Sequence, residues 1–176
     1  RLLINAAGLF ASDVASRIDG LATQHVPRTR WCKGHYFALT GRAPVIVCHS
    51  MGGLAARAWR AATTDADDRV QHIVTIGSPH HGTWLGRFRH VANGKEMRQE
   101  GPWLRALRER EAGRWPQDTY ARFTCWYSNA DNIVFPASTA TLPGADNRLV
   151  RGHAHVAMAF VEEIVEGTLS LAAHQP

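Results

Sequence analysis

Apolar and polar positions alternate along this chain between two rhythms. Val45, Ile46, Val47 and Cys48 form an unbroken apolar run closed by His49, and runs of that length belong to strands buried on both faces. Ile73, Val74, Thr75 and Ile76 repeat the pattern and stop at Gly77. The segment Phe123–Ser128 repeats it again, and a shorter strand is predicted near Leu149–Val150. Between the first two runs, Leu54, Ala55, Ala56, Arg57, Ala58 and Trp59 are tolerable or good helix formers, so a helix is predicted over Gly52–Ala62, and the acidic "TTDADD" then makes a turn.

The flanking regions read less evenly. Leu2 to Ile4 looks like the tail of a strand, and Ser12 can cap a helix whose apolar positions Val14, Ile18, Leu21 and Ala22 recur at helical spacing. From Val26 to Arg42 the pattern is irregular, with Pro27, Trp31, Gly34 and Gly41, and yields no element. From Thr83 to Thr119 no strand is predicted, but Trp103, Leu104 and Leu107 share a helical face in a segment rich in Arg and Glu, which reads as an insertion. Val156 to Thr168 reads as a closing helix. The repeated strand, helix, strand order predicts one α/β domain with a mostly parallel sheet and right-handed crossovers.

Composition narrows the classes. A chain of 176 residues that is 45% apolar can bury a real core. Its net charge of +5 comes from 20 Lys and Arg against 15 Asp and Glu. The cations are scattered, with the densest stretch between Arg98 and Arg114, which reads as a solvated helix face and not a nucleic-acid groove. Cys32, Cys48 and Cys125 make an odd count without C-x-x-C spacing, and two of them lie in apolar strand-like runs, so buried thiols are expected. No run reaches the roughly 18 to 20 apolar residues of a membrane span. The chain begins at Arg1 in mid-pattern, without a methionine or signal-peptide architecture, and is expected to be a piece of a longer protein.

The candidate chemistry starts at "VIVCHSMGGLAAR", where Ser50 stands at a sharp corner between strand and helix. Gly52 and Gly53 permit close backbone approach there, and the corner lifts a hydroxyl above the sheet edge. A serine hydroxyl is a weak nucleophile until a base takes its proton and an acid orients that base. Downstream, "SNADNIVFP" follows the strand Phe123–Ser128 and "RGHAHVAM" follows Leu149–Val150. Ser50, Asp131 and His155 thus lie in the order nucleophile, acid, histidine, each just past a predicted strand, on the edge where open parallel sheets assemble their sites. Asp146 competes with Asp131 for the acid, and His153 with His155 for the base.

At this point the sequence resembles the bacterial triacylglycerol lipase and esterase group of the α/β-hydrolase family. "CHSMGG" is similar to the nucleophile elbow, "IGSPHHGT" to the G-[ST]-P-H-x-G-[ST] block, "DNIVFP" to the acid loop and "GHAHVAM" to the terminal histidine loop. The resemblance implies an α/β-hydrolase fold with a mostly parallel sheet flanked by helices, lacking its N-terminal strands, with a helical lid-like insertion around 83–119. It also implies hydrolysis of carboxylic esters, small or lipid, through an acyl-serine intermediate, with no cofactor. The family's G-x-x-H spacing favours His155, and the "D-N-I-V-x-P" setting favours Asp131. The backbone N–H of Met51, after the nucleophile, is the implied oxyanion donor. Trp84, Trp103 and Leu104 are candidates for substrate contact, alongside Met97 and Leu107, although the same residues serve equally to pack the insertion.

Two departures from the family pattern are visible. The elbow usually opens with glycine or alanine where Cys48 stands, and a small thiol should fit. The earlier strand ending in His-Gly, which supplies the family's other oxyanion donor, is not found; "RLLINAAGLF" could imitate that loop, but it resembles more closely the strand and loop that follow it in the family. Thioesterase or other acyl-transferring serine hydrolase chemistry would use the same triad, and a non-catalytic hydrolase-fold binding domain is the rival from another class. His80 and His81 invite a metal reading, but their family counterparts look structural and no bound metal is expected.

Overall fold

The apolar runs become neighbouring strands. The structure, a computed structural model, describes residues 36–39, 44–84 and 98–173. In chain order these form β1 (Tyr36–Leu39), β2 (Val45–His49), α1 (Gly52–Ala62), the single turn α2 (Ala66–Arg69), β3 (His72–Ile76), α3 (Pro102–Arg114), β4 (Phe123–Ser128), β5 (Asp146–Val150) and α4 (Glu162–Ala173). The sheet order is β1-β2-β3-β4-β5. Strands β2 to β5 run parallel and β1 pairs antiparallel with β2, so the sheet is mostly parallel, with helices between its strands.

The period-2 alternation of the strands builds two cores. Val45, Val47, Val74, Ile76, Trp126 and Val150 pack on one face with Met158 and Ile164. Cys48, Ile73, Phe123 and Cys125 pack on the other with Ala56, Val70, Tyr120 and Leu142. Residues 45 and 47 therefore serve one face and 48 the other, as a pleated strand requires. Because β2 to β5 are parallel, their C-terminal ends at His49, Ile76, Ser128 and Val150 share one edge of the sheet.

Several expectations are corrected. The region from Val26 to Arg42, read as irregular, contains β1; four residues carry no legible period, and the strand exists through its pairing from Tyr36↔Cys48 to Leu39↔Val45. The acidic turn winds into α2, whose Asp67 and Asp68 suit the positive end of a helix and whose Ala66 is buried. On α3 the buried face is Leu104, Leu107 and Glu111, while Trp103 in the first turn stays 40% exposed. β5 begins at Asp146, earlier than its apolar residues announce, because its exposed first residues pair with β4 from Thr124↔Asp146 onward. The closing helix is split: a 3-10 turn over Ala157–Phe160 precedes α4, with extended backbone at Val161 between them. The strand at Leu2–Ile4, the helix after Ser12, Cys32 and Met97 lie outside the described residues. No helix among the described residues is long and apolar enough to cross a membrane.

Candidate active site

Ser50 leaves β2 with φ 56, in the left-handed region that a residue with a side chain rarely adopts. The strain is held by neighbours on both sides. Its N–H donates to the Ile76 carbonyl (2.9 Å), and its own carbonyl accepts from Gly53 N–H (3.2 Å) as α1 begins. Gly53 has no room for a side chain: a Cβ there would stand 2.3 Å from Ser78 Oγ and 3.1 Å from Thr75 Cγ2. The glycine thus lets α1 rise directly off the sheet. Cys48 is fully buried in the core, and burial pushes its thiol up to about 12, so the thiol stays protonated.

At the same sheet edge, His155 Nδ1 lies 2.9 Å from Asp131 Oδ2, both side chains being 3% exposed. A carboxylate only accepts, so Nδ1 carries the proton and Nε2 is left as the basic nitrogen. The other carboxylate oxygen, Asp131 Oδ1, accepts from the backbone N–H groups of Ile133 and Val134, each at 2.8 Å. Those two donors fix the carboxylate plane that aims the imidazole. Gly77, at φ 55 after β3, lies beneath the pair: a Cβ there would meet Met158 Cε at 2.7 Å and Asp131 Oδ2 and His155 Cε1 at 3.2 Å.

The two loops are sewn together by side chains from "SNADN". Gly152 N–H donates to Asn129 Oδ1 (2.9 Å), His153 N–H to Ser128 Oγ (3.2 Å) and His155 N–H to Asn132 Oδ1 (3.1 Å). His49, the residue before Ser50, donates Nε2–H to the His155 carbonyl (3.0 Å), and the two rings stand 4.7 Å apart. Sequence reading singled out none of these partners; the cluster of short polar side chains around Asp131 was the available signal. Of the rivals, Asp146 is exposed at the start of β5 and bound by Arg148, and His153 is partly exposed.

The remaining candidates scatter. Leu104 is fully buried against Leu54, with Met51 packed beside the pair. Trp84 is 47% exposed, and its N–H donates to the carbonyl of Phe135 in the acid loop (3.0 Å). His80 is a core residue: Nε2 sits 3.0 Å from Thr75 Oγ1, and burial, then the Arg57 charge, hold its pKa well below the usual range. Arg57 of α1 reaches the His80 carbonyl (2.9 Å) and both carboxylate oxygens of Glu111 on α3 (2.9 and 2.6 Å). Among the described residues no three His, Cys, Asp or Glu side chains cluster as metal ligands.

Comparison with known proteins adds three findings. A family model described as the PGAP1-like alpha/beta domain matches residues 40–94, which include the corner at Ser50 and the loop after β3. No curated protein matches the chain in a sequence comparison. Among solved structures, a Bacillus licheniformis lipase, BlEst2 in its mature form, superposes with a TM-score of 0.52 at 17% identity, over 74% of this chain and 66% of that one. Aspergillus fumigatus lipase B gives a TM-score of 0.48 at 19% identity, over 62% of this chain and 28% of its own. The chain thus spans less than two thirds of either solved protein. At such identity the likeness to the bacterial lipase is one of fold, and the family match lies across the Ser50 corner and the loop after β3.

Proposed function

We propose that the chain is a carboxylic ester hydrolase of lipase or esterase type, with Ser50 as nucleophile, His155 as base and Asp131 as its orienting acid. The observation that carries this reading is the buried Asp131–His155 pair at the sheet edge where a serine is held at positive φ, with His49, the residue before that serine, bonded to the His155 carbonyl. Strain of that kind persists only where the surroundings impose it, and it suits a hydroxyl that must stand clear of its own backbone. His155 Nε2 takes the Ser50 proton as the hydroxyl oxygen bonds to the ester carbonyl carbon. The resulting oxyanion faces the Met51 N–H at the start of α1, where the helix dipole also favours negative charge. The intermediate collapses as His155 returns the proton to the departing alcohol. A water deprotonated by the same imidazole then attacks the acyl-serine and releases the acid, restoring Ser50.

The domain organisation fits the same proposal. A single hydrolase domain carries a helical insertion around 83–119, in which Trp84, with Phe135 beside it, offers an exposed apolar contact for an acyl group, while Leu104 supports Met51 from below. The ester is small or lipid, and the chemistry needs no cofactor. Labelling by a fluorophosphonate probe tests the assignment: Ser50 should be the modified residue, and Ser50→Ala should abolish labelling. Labelling of another serine in the alanine variant would overturn it.

A further inference from the structure

We propose that Asn132 and His49 are positioning residues that grip the backbone of His155 from opposite sides and so set the distance from its imidazole to Ser50. The proposal rests on the Ser50–His155–Asp131 reading. A hydrogen bond from Nδ1 to Asp131 orients the ring but leaves the backbone that carries it free to shift. His155 lies between β5 and the 3-10 turn at Ala157, outside any strand ladder, so its N–H and carbonyl must find partners elsewhere. The N–H donates to Asn132 Oδ1 (3.1 Å) and the carbonyl accepts from His49 Nε2 (3.0 Å). A carbonyl only accepts, which puts the His49 proton on Nε2. Each partner is the chain neighbour of another member of the set: His49 precedes Ser50 and Asn132 follows Asp131. The base is therefore gauged directly against the nucleophile's strand and the acid's loop. A shift of about 1 Å at a reacting group can cost on the order of 10² in rate, so this double hold bears on turnover more than on binding.

The test is p-nitrophenyl butyrate hydrolysis and fluorophosphonate labelling of the full chain and its variants, with melting temperature as the check on folding. Asn132 is exposed, so its replacement leaves the core untouched. Asn132→Ala and His49→Ala should each lower kcat about tenfold with KM changed by less than about twofold. Asn132→Asp keeps the acceptor and His49→Gln keeps an N–H donor, so both should recover to within about threefold of the parent. Alanine variants with parental kcat, in a protein that Ser50→Ala inactivates, would overturn the positioning role alone. So would conservative variants as slow as the alanine ones. Activity that survives Ser50→Ala would overturn the triad reading and this proposal with it.

Discussion

His153 and His155 stand two residues apart in one loop, and their surroundings differ in kind. His155 is 3% exposed, with its ring on Asp131 and its backbone held at both ends. His153 follows Gly152 at φ 80, is partly exposed, and gives its N–H to Ser128. In the proposed triad the members act as a unit, so His155→Ala should lower ester turnover by about 10³ or more, whereas His153→Ala should cost less than about tenfold. Steady-state hydrolysis by the two variants checks this, and the reverse order would move the base two residues back. The family's spacing favoured His155 in the sequence, but the partners that hold its backbone, Asn132 and His49, are not near it in the chain.

Between elements, a buried ion pair ties α1 to α3. Arg57 is fully buried, and Glu111 nearly so; the guanidinium meets the carboxylate in a two-bond fork and shares it with Tyr120 Oη, which donates to Glu111 Oε2 (2.7 Å). Burial alone would lower the Arg57 pKa, but the Glu111 carboxylate outweighs it and raises it, while burial pushes the Tyr120 hydroxyl up to about 12. Removing one partner strands the other charge in the core. Glu111→Gln and Arg57→Met should each cost about 3–5 kcal/mol in urea unfolding, and the double variant Arg57→Met with Glu111→Leu clearly less than their sum. The helical spacing on α3 was legible, but it selected Trp103, Leu104 and Leu107, whereas the buried face is Leu104, Leu107 and the charged Glu111. A pattern that counts apolar residues cannot see a carboxylate whose partner is supplied by Arg57, 54 positions away.

For the whole molecule, His80 sets an acid limit on stability. Burial, then the charge of Arg57, holds it neutral in the fold, with a pKa well below the 6.5 of a free histidine. Below that value the unfolded chain takes up a proton that the folded chain refuses, so stability present above pH 6.5 is lost as the pH falls. The slope from this residue should reach about 1.4 kcal/mol per pH unit, measured by urea unfolding between neutral and mildly acidic pH, and His80→Gln should flatten it. His72 and His81, also lowered first by burial, act in the same direction. What the sequence by itself determined was the local part: apolar runs long enough to be buried strands, the glycine pair after Ser50 and the order of serine, aspartate and histidine, since periodicity and turn chemistry are properties of neighbouring residues. The tertiary structure alone decided that β1 exists as the antiparallel partner of β2, that Asn132 and His49 hold the backbone of His155, and that Glu111 belongs to the core. Each of those depends on groups brought together from distant parts of the chain, where a hydrogen-bond partner or the loss of water changes what a residue does.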